Sequence, residues 1–357
     1  MRGAPAQRPS PRPSPDLARS EATAVAPVTF FLAGEPDLAA LRGLDPEAGW
    51  RELVRGERAW ILQTYLRLSA AGRPVELAGD LPREGLAVFH AKHKREVARR
   101  FGRGRRPILV AVRADNSPPA AADFEVVQSG RRADGRRRFH LPHWPQAGLI
   151  PRDPGRGATV RRLGFKGFAG NLHPGLAAPE WRGFLARHGL EWETDAVEFA
   201  GTATDPARLA WNDYSRLDLV VALRPPAKDL HPGKPATKLF NAWRAGVPAI
   251  LGPEWACREV RRSPLDYLEA ASPAEAEEAV LRLARDQGLY RAMVEHGRQR
   301  APELDFEATL ERWAKLLFET LPPLAEVEAR RPFHRLPLPL RALARRLARL
   351  ASGRPAR

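Results

Sequence analysis

The chain has 357 residues and a hydrophobic content of 43%, which fits two globular domains with separate cores and excludes a largely disordered protein. One cysteine, Cys257, excludes an internal disulfide framework and a Cys-based zinc site, and suits a reducing compartment. The net charge is +16, but from Arg330 onward there are nine arginines and no acid, so much of the excess lies in a tail and the case for nucleic acid as a partner is weak.

Residues 1–27 are rich in Pro, Arg and Ser and lack an apolar signal-peptide core, so they read as a disordered extension of a cytoplasmic protein. Residues 28–150 read as a first α/β domain. Its strands are expected at Val28 to Ala33, Val75 to Ala78, Leu86 to His90, Ile108 to Val112 and Phe124 to Gln128. A helix is expected over Trp50 to Ala71 and a basic one over Lys92 to Phe101. Asp134-Gly135 signals a hairpin or a turn. Pro145 to Gly157 has no periodicity and reads as an interdomain linker.

A second α/β series occupies residues 158–320. Strands are expected at Val160 to Phe165, Trp192 to Phe199 and Leu217 to Leu223, with helices at Pro179 to His188 and Asp205 to Arg216. Further helices close the body, the last over Asp305 to Thr320. Strands that alternate with helices imply parallel, doubly wound sheets. In residues 330–357, Leu340, Leu343, Leu347 and Leu350 share one helical face and Arg341, Arg345, Arg346 and Arg349 the other. That pattern fits a basic amphipathic helix on an anionic membrane surface, and equally a solvated arginine tail. Truncation after Ala329 separates the two.

The stretch Gly233 to Pro253 (GKPATKLFNAWRAGVPAILGP) carries the most information. Thr237 is placed to cap a short helix that Gly246 ends, and Lys234 and Lys238 flank its start. A helix N-terminus presents unpaired N–H groups and partial positive charge, so this one is a candidate phosphate site, with Asn241 on the same face. The alternative is an ordinary surface helix with solvated lysines.

KPATKLFNAWRAGVPAI, with the upstream LDLVVALRP and GFKGFAGNL in order, resembles the second-domain signature of GT-B-type glycosyltransferases of the family 1/4-like group. The resemblance spans roughly Val160 to Thr320. It implies two Rossmann-like domains around a cleft, the second holding a nucleotide-sugar co-substrate and the first a glycan or lipid-linked acceptor. It implies no resident cofactor and no required metal, and the chain has no Asp-x-Asp pair. Lys234, Thr237 and Lys238 are then donor-phosphate candidates. Gly167, Gly170 and Asn171 form a loop that lets backbone approach a phosphate, or a plain strand-to-helix turn, with Lys166 a further cation beside it. Arg224 ends a strand at the ligand edge, or is a surface arginine. His90 ends a first-domain strand as a general base, a sugar hydrogen-bonding group or a structural histidine. Asp115 is the rival base, or an Asx turn before Ser117. Many retaining relatives carry two glutamates in this stretch; here Gly233 and Asn241 stand in their places, so the paired-glutamate motif is absent. The rival expectation is a catalytically degenerate protein of the same shape that binds nucleotide or glycan.

Overall fold

A computed structural model describes residues 28–102, 104–197 and 209–351. The expected extension 1–27 and the last residues of the tail lie outside these. Six parallel strands form the first sheet: β1 (Val28–Phe31), β2 (Val75–Ala78), β3 (Leu86–His90), β4 (Ile108–Val112), β5 (Phe124–Val127) and β6 (Arg138–His140). Their order is β2-β1-β3-β4-β5-β6. The second sheet is also parallel, with β7 (Arg162–Phe168), β8 (Glu191–Val197), β9 (Leu219–Ala222), β10 (Ala249–Leu251) and β11 (Leu268–Glu269) in the order β11-β10-β9-β7-β8.

The continuous apolar runs of β3, β4 and β9 are buried on both faces, as parallel sheets covered by helices require. Asp134 makes a turn and not a hairpin. Its Oδ1 accepts from the N–H groups of Arg136, Arg137 and Arg138, and β6 then runs parallel to β5. The expected helix over Asp205 to Arg216 lies partly outside the described residues, and its described part, from Leu209, is turn and loop.

Each sheet changes direction of strand growth once, between β1 and β3 in the first domain and between β7 and β9 in the second. Such switch points open a crevice beyond the carboxyl ends of the strands, where doubly wound sheets take their ligands.

The expected linker is firmly held. Buried Asp218, at the start of β9, accepts from Arg152 Nη2 at 2.7 Å, Arg156 Nη2 at 2.8 Å and the N–H groups of Arg161 and Arg162. The C-terminal end also departs from the expected division at residue 320. Trp313, Leu316, Leu317 and Leu321, on the helical run Phe306–Ala329, pack into the first domain's core beside Trp60 and Val110. The chain therefore crosses back over the cleft after completing the second domain.

Candidate active site

On the second domain, β7 ends in a loop and 3-10 turn (Ala169–Asn171), and Arg224 lies two residues beyond the end of β9. Gly167 adopts φ +151°, and a Cβ there would lie 3.3 Å from Lys238 Nζ. Absence of a side chain at Gly167 is what lets the lysine lie along the end of β7. Gly170, at the exposed loop tip, has open space around it. Arg224 donates to Asn171 Oδ1 and, at 2.8 Å, to Glu254 Oε2. Glu254 itself follows β10, so three neighbouring strand ends meet in one hydrogen-bonded group.

The helix Thr237–Ala245 points its N-terminus at this group, and its chemistry is unusual in two respects. Its first turn has no side-chain cap: the cap position is Ala236, not Thr237 as the sequence suggests. Thr237 is instead the first helical residue, and its Oγ1 is buried with no hydrogen-bond partner. Lys238 has no carboxylate within ion-pairing distance among the described residues; its ammonium sits 5.2 Å from the Phe165 ring centroid. Burial, aided by the Arg224 charge, brings its pKa down to about 7. An uncapped helix end, an orphan hydroxyl and an unpaired, desolvated ammonium together make a site short of an anion.

Two further candidates are engaged elsewhere. Lys166 Nζ is held on the sheet by Asp195 at 2.5 Å, Glu193 at 3.3 Å and the Ala210 carbonyl at 3.0 Å, so it is not a free cation in the loop. Buried Asn241 accepts from the Gln146 N–H at 3.0 Å through Oδ1, and also meets the Tyr214 hydroxyl. Its amide ties the helix to the hinge.

Across the cleft, His90 closes β3 beside the first switch point. It is 3% exposed, and burial lowers its pKa to about 4, so the ring is neutral. Nδ1 accepts from the Lys92 N–H at 3.3 Å. That assigns the ring proton to Nε2, which has no partner. His90 Nε2–H is thus a buried donor without a partner on a neutral ring, close to Gly56.

Asp115 and Lys234, expected as base and phosphate ligand, meet each other: Lys234 Nζ lies 2.6 Å from Asp115 Oδ2, joining the two domains. The lysine helps hold the Asp115 carboxyl below its ordinary pKa, against the effect of burial, so it is a weak base. Strained backbone flanks both partners, at Ala114 (φ 47°) and at Leu230 and His231 (φ 52° and 53°). Such strain clusters at ligand-contacting loops.

More bridges span the cleft. Gln128 donates to the Gly233 carbonyl. Glu259 accepts from Ser129 Oγ at 2.9 Å and from the N–H groups of Gly130 and Arg131 at 3.0 and 3.1 Å. Arg131 lies 3.8 Å over the Trp255 ring. Between these bridges is a cavity of about 330 Å³, lined by His140 and His143 from one domain and Phe240 and Ala256 from the other. Glu254, Glu259 and Gln128 belong to no motif that the sequence displays. The available signal was position, since Glu254 and Gln128 each lie just beyond a strand end.

Among solved structures, Anabaena Alr3699/HepE in complex with UDP and glucose matches with TM-score 0.52 and 12% identity, over 82% of this chain and 99% of that one. The fold is GT-B. TarM matches with TM-score 0.45 and 9% identity over 72% of this chain, which spans 58% of TarM's length. An alpha1,3-fucosyltransferase with GDP matches with TM-score 0.46 and 10% identity, over 83% of this chain and 92% of that one. No protein-family model and no curated protein matches the sequence. Lys238 thus lies near the strand ends of the second domain and His90 at a strand end of the first.

Proposed function

We propose that this protein is a glycosyltransferase that moves a sugar from a nucleoside-diphosphate donor to an acceptor hydroxyl. The observation that carries the reading is the uncapped N-terminus of the helix Thr237–Ala245 with the unpaired Lys238 beside Gly167. In the transfer, the bond from the anomeric carbon to the diphosphate breaks, a bond to the acceptor oxygen forms, and the acceptor proton passes to an oxygen of the departing diphosphate. Charge grows on the diphosphate as the first bond opens. Helix N–H groups, the Lys238 ammonium and the Thr237 hydroxyl are fixed in place to meet it, so no solvent must reorganise. Arg224 adds charge at the same edge while orienting Asn171. Nε2–H of His90 donates to a hydroxyl of the transferred sugar from the first domain. The UDP and glucose in the HepE structure support this donor class.

We assign the leaving-group stabilisation to these side chains without a required metal, so activity is expected to survive excess EDTA. We place the reaction on the cytoplasmic side of a membrane, with a lipid-linked or envelope glycan as acceptor; the exposed Leu340, Leu343 and Leu347 of the tail support this setting. A second reading is a degenerate protein that binds the nucleotide without turnover, favoured by the hinge role of Asn241 where a carboxylate stands in many relatives.

The test is a thermal-shift panel of nucleoside diphosphates and nucleotide sugars on the wild type and on Lys238→Ala, followed by donor hydrolysis and transfer assays. A ligand that binds only the native state raises the midpoint by mass action. A shift for one nucleotide family, lost in Lys238→Ala, is the expected result. No response to any nucleotide sinks the transferase reading, and binding without turnover selects the degenerate one.

A further inference from the structure

The helix Leu338–Ala351 sits on the first domain with Arg341 and Arg345 inward and Leu340, Leu343 and Leu347 outward. Arg341 is fully buried and Arg345 nearly so; both donate to buried Asp123, and Arg345 also reaches Glu328 Oε1 at 2.8 Å. Leu338 joins them, packing with Phe31, Phe89, Val97 and Phe101. On the opposite side of the helix Leu340, Leu343 and Leu347 are 51%, 51% and 57% exposed. Their spacing of three and four places them on one face. This inverts the usual amphipathic arrangement, in which leucines dock and arginines meet water.

We propose that this leucine face is a docking surface for an anionic lipid bilayer. The occupant is indicated by charge. The helix Lys94–Arg100 shares the core cluster of Leu338 through Val97, and Arg341 lies 5.3 Å over the ring of Phe101 just beyond it. That neighbouring helix carries Lys94, Arg95, Arg99 and Arg100 against one acid, Glu96, and its Lys94, Arg95 and Arg99 are exposed. An apolar face and exposed cations, on two helices that share one core cluster, match the acyl boundary and headgroups of an anionic leaflet. A second copy fits less well. The faces of two chains each carrying +16 repel, and three half-exposed leucines offer far less than the ~800 Å² per partner of a stable interface. The inward arginines act as pins: the Asp123 and Glu328 contacts fix which side of the helix faces out. The inference deepens the membrane setting above and is independent of sugar transfer.

The experiment is cosedimentation of the full chain with vesicles of phosphatidylcholine containing about a third phosphatidylglycerol, compared with pure phosphatidylcholine. Wild type is expected to bind the mixed vesicles preferentially. L340Q/L343Q/L347Q, which changes only exposed positions, is expected to bind at least about tenfold more weakly. R95Q/R99Q is expected to lose the anionic preference. A polarity-sensitive dye on Leu343→Cys, which leaves the rest of the face in place, should shift to the blue when mixed vesicles are added. Equal binding of the triple variant, or an unmoved dye spectrum with bound protein, overturns the docking face while leaving the membrane setting intact. Absence of any vesicle binding by wild type overturns both. A wild-type dimer that the triple variant dissolves, without vesicle binding, assigns the face to a second copy instead.

Discussion

At the residue scale, the site's chemistry rests on side chains left short of partners. The depressed pKa of Lys238 means that the unfolded chain holds this proton more tightly than the folded one between pH 7 and the ordinary lysine value. The group's contribution to stability therefore rises as pH rises through that window. Lys238→Met is expected to raise the midpoint of the ligand-free protein near neutral pH while abolishing its response to nucleotide. Because a bound diphosphate pulls the Lys238 pKa back up, nucleotide binding at pH 8 should take up protons. Calorimetry in buffers of different ionisation enthalpy measures that number, and no uptake would remove Lys238 from the phosphate site.

His90 gives the opposite pH signature. Its folded pKa, about 4, lies below the 6.5 of a free imidazole, so stability is lost as pH falls through this range. The full difference is worth about 3 kcal/mol for a nearly fully buried ring. His90→Gln is expected to flatten the acid side of the stability profile by most of that amount. As an amide donor it should retain more activity than His90→Ala, for which a drop of about 10² in kcat is expected. Equal activity of the two would rule out the donated hydrogen bond.

At the scale of elements, the switch points explain why some site residues were legible and others not. Lys238, Gly167, Arg224 and His90 lie at or beside strand ends or the start of a helix, and these boundaries follow from hydrophobic runs and glycines that the sequence displays. The pairing of Asp115 with Lys234 joins residues 119 positions apart in different domains, and no local pattern encodes it. Thr237 stands one position inside the cap it is expected to form, because the helix starts after Ala236. The tail helix was legible in periodicity but not in orientation. Burial of Arg341 and Arg345 depends on Asp123, whose side chain is directed to them by a strand more than 200 residues earlier. Asp123→Ala leaves two buried guanidinium groups without their main acceptor, and breaking such a buried pair costs about 3–5 kcal/mol. Urea denaturation should show that loss; a cost below about 1 kcal/mol would mean that the helix is not pinned there.

At the scale of the whole molecule, the two domains are held close by polar bridges at the cleft mouth and by an apolar seam behind it. The bridges are partly exposed, and each such contact is worth only about 1 kcal/mol or less, which suits a cleft that must admit a donor and release a diphosphate. Asp115→Ala with Glu259→Ala removes the Lys234 and Arg131-loop contacts together. Small-angle scattering is expected to show a larger radius of gyration for this variant than for wild type, with nucleotide shrinking the difference. Identical scattering would mean that the seam alone sets the closure.

The return of the helical run Phe306–Ala329 to the first domain has a consequence for how the protein is made. Leading domains of nascent chains ordinarily fold as units while the rest is still being synthesised. Here the first sheet is complete by β6, but Trp313, Leu316, Leu317 and Leu321 fill its core from the far end of the chain. Until those residues leave the ribosome, Trp60 and its neighbours face water on that side. The second domain, whose core is drawn from residues 149–304, can close before that. Translation thus finishes the later domain first, and the helices that follow it complete the earlier one.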